Sequence, residues 1–346
     1  MIIVTGAAGH IGNVLVRQLV EKGQEVRAMI LPKENTRSLE GQDVEIVEAN
    51  VLDPDSLNKS FEGMQTVYHL AGLISILPGK DLSVREVNIQ GTRNVLTAAK
   101  KAGVKKLVYT SSIHAVKRVS KGVIDESAGY DPDTPYGEYD RSKASATLEV
   151  QKAAKEGLEA VIACPTGVIG PFDFRGSMMG SFIRSAAIRK PTFYVDGAYD
   201  FVDVRDVADG LMRAAKFGKK GESYILSGQQ ISVRFLLETI REVTGKDFFQ
   251  MKIPLALARF AAHFTPMYYK AAQATPKFTP YSLEVLQSNS TISHQKATSE
   301  LGYQPRNLYE TITDTAKWFL ETANDYLIQS TLRRIEKQIA DGHQFT

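Results

Sequence analysis

Cysteine is nearly absent from this 346-residue chain, and with Cys164 as its single example no disulfide forms within it. Cys164 closes the apolar run 160–164, where the expected role is a small buried hydrophobe rather than a reactive thiol. The six histidines are scattered without metal-ligand spacing, so no metal site is expected. Charge of one sign is scarce too. A net charge of +3 is too small to imply a nucleic-acid partner, and the lysine pairs at 100–101, 105–106 and 219–220 read as solvated helix ends. No apolar run approaches the ~20 residues that a membrane span needs. Met1 leads straight into an apolar run, which leaves no room for a signal peptide, and the expected location is cytoplasmic. Internal repeats and low-complexity segments are absent. What remains, 43% hydrophobic and 23% charged, is the composition of an ordinary soluble globular protein. Its length allows one large domain or two lobes.

The chain opens Met1-Ile2-Ile3-Val4-Thr5-Gly6-Ala7-Ala8-Gly9-His10-Ile11-Gly12. A short β-branched run enters a glycine turn, and apolar residues at helical spacing follow (Ile11, Val14, Leu15, Leu19). The pattern predicts strand, turn and helix. Gly6 permits the tight turn, Gly9 lets the backbone approach a pyrophosphate, and Gly12 lets the helix pack closely on the strand. The helix N-terminus then offers free N–H groups and a positive dipole end to the phosphates.

Further on, Tyr139 and Lys143 stand four residues apart in a stretch, 138–155, that is free of glycine and proline. On a helix they share one face. A phenol beside an ammonium is expected to ionise more readily, its pKa falling from about 10 toward neutrality. Such a phenol exchanges a proton with an alcohol or carbonyl. The bland alternative is an amphipathic helix face, and the glycine turn upstream weighs against it.

Strand patterns fall at 2–5, 25–31, 45–49, 66–70, 106–110 and 160–164, and helical patterns at 11–22, 53–61, 84–102 and 138–155. Alternation of this kind predicts an α/β fold, a doubly wound parallel sheet of the Rossmann type with its ligand at the strand C-termini. From about residue 172 the alternation degrades. A last stretch (Leu327, Leu332, Ile335, Ile339) regains a helical period, with docking on the body its default reading.

With Tyr139 and Lys143, the spacing Gly6-x-x-Gly9-x-x-Gly12 resembles the extended short-chain dehydrogenases/reductases, the NAD-dependent epimerase/dehydratase family. His69-Leu70-Ala71-Gly72, Asn88, Tyr109-Thr110-Ser111-Ser112, Pro165 to Pro171 and Phe201 to Val207 match further motifs in chain order, and the resemblance runs to about residue 320. It implies Ser112, Tyr139 and Lys143 as catalytic residues, with Ser111 competing for the place of Ser112. It implies a dinucleotide along Gly6, Ala8, Gly9, His10, Ile11 and Gly12, then Leu31, Asn50 and Val51, then Leu70, Ala71 and Gly72, with Tyr139, Lys143, Pro165, Gly167 and Val168 completing the set. It also implies a nucleotide domain of 1–171 with 201–228 returning to it, a smaller C-terminal substrate lobe from 172–200 and 229–322, and a helical extension at 323–346. Asn88 has an alternative role as a helix-backbone anchor, and His114 is expected to line the pocket, with a second acid as its alternative role.

The family's acidic ribose ligand falls on Ile30, so the usual NAD determinant is missing, and the Arg typical of its NADP enzymes falls on Leu31. Lys33 and Arg37 lie close enough to meet a 2′-phosphate, and NADP is the expected cofactor. Asn50 replaces an Asp near the adenine. Ile113-His114 replaces the Asp-Glu pair of the sugar dehydratases. The apolar stretch 251–264 stands where a diphosphate-clamping segment is typical, and 290–306 with 315–319 resembles the dihydroflavonol-reductase-like and hydroxysteroid-dehydrogenase-like subgroups. These features imply reduction of a moderately apolar ketone or aldehyde. The runner-up is a nucleotide-sugar epimerase with tightly held NAD, its clamp drawn from Arg175, Arg184, Arg189, Lys190 and Arg234. A non-catalytic binding protein is a third reading, opposed by the intact Ser112, Tyr139 and Lys143. A homodimer through helices 84–102 and 138–155 is expected, with Ala98, Ala99, Ala144, Ala146, Ala153 and Ala154 allowing close packing.

Overall fold

The computed structural model describes residues 1–322 except 77–79, 120, 189–190, 246, 248, 273–278 and 289–290. The extension expected over 323–346 lies outside the described residues. Six strands alternate with helices through the first half: β1 (Ile2–Thr5), β2 (Val26–Ile30), β3 (Glu45–Glu48), β4 (Thr66–His69), β5 (Lys106–Thr110) and β6 (Ala160–Pro165). Then come β7 (Gly167–Ile169), β8 (Thr192–Tyr194), β9 (Ala198–Asp203), β10 (Ser223–Leu226), β11 (Gln229–Ser232) and β12 (Gln250–Lys252). Seven of them form one parallel sheet in the order β10-β6-β5-β4-β1-β2-β3. Order reverses beside β1, which places the switch point, and hence the ligand crevice, at the end of that strand.

Strand residues alternate strictly between two buried faces. Ile3, Leu107, Tyr109 and Ile162 join one core, and Val4, Val108 and Val161 the other. A strand buried on both sides reads as a continuous apolar run for this reason. Helix α1 (His10–Glu21) and, later, α7 (Val204–Phe217) cover one face. On the other face lie α2 (Pro54–Phe61), α3 (Leu82–Arg85), α4 (Gly91–Lys101) and α5 (Glu138–Lys155). A π-turn, Glu86–Gln90, joins α3 to α4. Asp53 accepts from the N–H groups of Asp55 and Ser56 and Pro54 opens the helix, which fixes the start of α2. In α5 Gly137 caps the start, with Glu138 and Asp140 in the first turn and Lys152 and Lys155 in the last, an arrangement that suits the helix dipole.

Outside the main sheet lie the three-stranded sheet β11-β9-β7 and the pair β12-β8. With them are α6 (Met178–Ala187), α8 (Val233–Thr244), α9 (Leu255–Ala272) and α10 (Pro280–Gln287). Ile183 of α6 and Leu236 of α8 join the same core as Ile3 and Leu107. β10 pairs with β6, and α11 (Gln295–Leu301) packs on α7. The alanines expected at a dimer seam are buried within this one chain, Ala99, Ala144 and Ala146 completely. They pack α4 and α5 against the core and each other, so they offer no surface to a second copy. Strand 2 stops one residue short of the expected 31 because the Leu31 N–H is taken by the Glu34 carboxylate instead of continuing the ladder.

Candidate active site

The first turn is built around closely packed glycines. Gly6 has φ +68°, and a Cβ there would lie 2.9 Å from Ala71 N. A Cβ on Gly12 would lie 2.2 Å from Gly6 O. Gly9 caps α1 without a side-chain bond, no acidic residue occupies the first helical turn, and so its N–H groups suit an anion. His10 Nε2 bonds the carbonyl of Pro171 at 3.0 Å, tying the 165–171 segment to the turn. The second glycine-turn wall comes from Ala71, whose N–H donates to Thr5 Oγ1 at 3.1 Å.

That wall is pinned from behind. Thr92 donates its hydroxyl to Asn88 O (2.7 Å), so it accepts from His69 Nε2–H (3.1 Å). His69 Nδ1 is then left to accept from Thr5 Oγ1–H (2.9 Å). This arrangement needs a neutral imidazole, and burial pushes His69 down to about 3.

Tyr139 and Lys143 share the sheet-facing side of α5, and both are buried. The Ser112 side chain hydrogen-bonds Tyr139 and favours its ionised form, but burial dominates and pushes the phenol up to about 12. This corrects the expectation of a phenol lowered by its lysine. Lys143 Nζ is held by Thr110 O at 2.7 Å and Tyr109 Oη at 3.4 Å. Burial lowers Lys143 to about 8. The space beside Nζ opens at Gly72, where a Cβ would sit 3.7 Å away. Ser112 Oγ accepts from His114 N at 3.2 Å, which frees its own proton to donate toward Tyr139. Ser111 faces the other way, bonded to Thr147 at 2.6 Å.

Asn88 does more than anchor its own helix. It sits in the π-turn, exchanges two bonds with the Leu73 backbone (2.8 and 2.9 Å), and donates to Ser142 Oγ at 3.0 Å. It thereby fixes the loop after β4 against α5. His114 lies in the wall beside Tyr139, with ring centroids 6.0 Å apart. Its two nitrogens bond Tyr199 and Tyr281, so the lining role stands over that of a second acid.

The remaining positions are more peripheral. Asn50 Oδ1 accepts from Leu52 N (2.9 Å), while Leu31 is half exposed. Val51 closes on Gly91, where a Cβ would meet it at 2.7 Å. Val168 pairs with Val202 in the β7–β9 ladder, and Gly167 makes room for the Tyr199 and Phe201 rings. At the end of β2 the sequence reading missed an acidic group. Glu34 Oε2 accepts from Leu31 N at 2.8 Å, and Arg175 pairs with the same carboxylate. The residue at the strand end is apolar, but the chain turns and brings a carboxylate back to it. Arg234 pairs with Glu238 on its own helix. Arg189 and Lys190 lie outside the described residues. In α9 the small residues Ala258 and Ala262 face inward, and Leu257, Phe260 and Phe264 face solvent. Cys164 is buried, its thiol pushed up to about 12 by desolvation. Among the described residues no helix is long and apolar enough to cross a membrane, and no group of metal-ligating side chains could hold a metal ion.

The glycine cradle, the uncapped start of α1 and the lysine facing Gly72 all fit a dinucleotide, and comparisons with known proteins agree. Residues 2–227 match the model of the NAD dependent epimerase/dehydratase family. Sterol demethylase protein B of Methylococcus capsulatus is 33% identical over 321 residues, which cover 92% of this chain and 98% of that protein. An Arabidopsis thaliana 3beta-hydroxysteroid-dehydrogenase/decarboxylase (isoform 1) is 30% identical, with 88% of this chain and 75% of that one covered. Among solved structures, that of gox2253 superposes with a TM-score of 0.80 at 28% identity, covering 93% of this chain and 98% of the other. The chain belongs to the NAD dependent epimerase/dehydratase family and is an oxidoreductase of the extended short-chain dehydrogenase/reductase type.

Proposed function

We propose that the protein reduces a ketone or aldehyde of moderately apolar character, with Ser112, Tyr139 and Lys143 as its catalytic residues. The observation that carries this reading is the directed bond series from His114 N–H through Ser112 to Tyr139, beside a phenol that stays protonated at neutral pH. A neutral phenol is an acid, ready to give its proton to a carbonyl oxygen as that oxygen gains charge. With substrate bound, the Ser112 proton turns from Tyr139 to the same oxygen and holds it in place. Lys143, anchored on Thr110 and Tyr109, keeps a donor toward Gly72 for the cofactor ribose. When bound, the nicotinamide supplies the hydride.

Two features support the apolar substrate. Arg175 and Arg234, two of the three clamp candidates among the described residues, are engaged with Glu34 and Glu238, and the third is Arg184. The relatives named for sterol and hydroxysteroid chemistry are similar over most of the chain. For the dinucleotide we propose NAD in place of the NADP expected from Lys33 and Arg37, because the Glu34 carboxylate at the end of β2 disfavours a 2′-phosphate.

The second reading, a nucleotide-sugar epimerase, draws support from the family description. It requires a dinucleotide retained through purification, because the hydride returns to the substrate that gave it. The deciding experiment is to denature freshly purified protein, assay released nucleotide, and titrate stripped protein with NADH and NADPH before testing reduction of apolar ketones, aldehydes and 3-ketosteroids. Free exchange with turnover of an apolar probe supports the reductase. Stoichiometric retained NAD with no such turnover overturns it.

A further inference from the structure

Five side chains from separate parts of the chain meet beside Tyr139 and have no part in the chemistry proposed above. Tyr281 (α10) donates its hydroxyl to Asp140 Oδ1 at 2.6 Å. Its oxygen therefore accepts from His114 Nδ1–H at 3.0 Å. The other nitrogen, Nε2, bonds the Tyr199 hydroxyl (β9) at 3.0 Å. Arg118 closes the far end, bonding Asp140 Oδ2 at 3.0 Å while its guanidinium lies 3.7 Å from the Tyr136 ring centroid. Burial alone would raise the Asp140 carboxyl, but the hydrogen bonds of His114 and Tyr281 and the nearby charge of Arg118 outweigh it and hold Asp140 below the usual range.

Two consequences follow. Tyr281 of α10 bonds Asp140 on α5, Tyr199 of β9 does not, and both tyrosine hydroxyls converge on one imidazole. Every polar atom of that imidazole and of its two tyrosines is also engaged inside the protein. The wall next to Tyr139 therefore presents ring carbon, since its hydrogen-bonding groups are already paired.

We propose that His114 is a positioning residue that docks Tyr199 and Tyr281 beside Asp140, sets the wall facing Tyr139, and selects a flat apolar carbonyl compound over a hydroxyl-rich one. The kinetic part rests on the reductase reading above. The test compares His114→Leu, His114→Gln and Tyr281→Phe, measuring NADH affinity by fluorescence and NADH-dependent reduction of a 3-ketosteroid probe. Losing these bonds is expected to raise the steroid KM about tenfold in the Leu and Phe variants, with a smaller change in kcat and NADH affinity within about twofold. His114→Gln keeps one donor and one acceptor and is expected to recover most of the loss. An unchanged KM in His114→Leu, or NADH affinity falling in step with KM, overturns the proposal. A wild type that ignores the steroid sinks the activity reading alone. The imidazole ¹⁵N signals then decide: an Nδ1–H tautomer lost in Tyr281→Phe supports the docking role, and an Nε2–H tautomer in the wild type overturns it.

Discussion

Lys143 Nζ donates to the carbonyl oxygen of Thr110 at 2.7 Å, so its ammonium is anchored to the end of β5 and not to the phenol one turn before it on α5. The Tyr–Lys pair thus divides its labour. Tyr139 is left as a buried neutral acid under the influence of Ser112, and Lys143 faces the cofactor side at Gly72.

Removal of the phenol proton tests that division first. Tyr139→Phe keeps the ring and its packing and deletes the acid. Turnover is expected to fall by roughly 10²- to 10⁴-fold, with NADH binding unchanged. Steady-state rates beside a fluorescence titration check it, and a loss of less than about tenfold would remove Tyr139 from the chemistry.

Burial of the Lys143 ammonium has a cost that depends on pH. Its folded pKa is about 8 against an ordinary 10.5. Below about 8 both folded and unfolded chains hold the proton, and the desolvation cost is present in full. Between about 8 and 10.5 the unfolded chain binds more protons, so stability rises with pH and the cost disappears above that window. Lys143→Met has no such dependence. The stability of wild type relative to this variant should therefore improve by up to about 3 kcal/mol from pH 7 to pH 10.5. Urea unfolding at the two pH values measures it, and parallel curves would show that the ammonium is already solvated in the native state.

The same contrast between local and distant causes explains what could be read from the sequence. The glycine turn, the alternation Ile3/Val4 between two cores, and the spacing of Tyr139 and Lys143 are local, so the strands, the doubly wound sheet and the family were legible. The surroundings of those residues were not. His114 meets Tyr199 and Tyr281 across 85 and 167 residues, with no spacing rule to announce either contact. The pKa of Tyr139 went the opposite way to expectation because burial is a property of the assembled core. The alanines of α4 and α5 read equally well as a dimer seam or a core, and tertiary packing made them core. Glu34 was not legible because the strand end itself, Ile30 and Leu31, is apolar, while the backbone turn with Lys33 at φ +63° returns a carboxylate to it.

Gly12 carries a sharper steric prediction than Gly9. An added Cβ meets Gly6 O at 2.2 Å and Ala7 Cα at 2.9 Å, both backbone atoms of the phosphate turn that cannot rotate away. Gly12→Ala is expected to cost roughly 1–3 kcal/mol of stability and to weaken dinucleotide binding by displacing the turn from α1. Gly9→Ala, whose Cβ meets Gly6 O at 3.2 Å, should be milder. Calorimetric Tm values and NADH titrations of the two variants decide it, and equal effects would mean that the turn relaxes freely.

Glu34 governs the last choice, between NAD and NADP. Its carboxylate accepts from the Leu31 N–H at 2.8 Å and pairs with Arg175, so an internal anion already occupies the donors at the end of β2. A 2′-phosphate arriving there meets like charge, whereas a ribose diol meets an acceptor. The wild type is therefore expected to bind NADH more tightly than NADPH. Glu34→Gln removes the charge, keeps an acceptor for Leu31, and leaves Arg175 and nearby Lys33 for the phosphate. NADPH affinity should rise by about tenfold or more, while NADH affinity falls modestly. Paired fluorescence titrations at fixed ionic strength measure both. A wild type that already prefers NADPH, with Glu34→Gln making no difference, would mean that the carboxylate turns away from the ribose and that Lys33 and Arg37 govern cofactor choice.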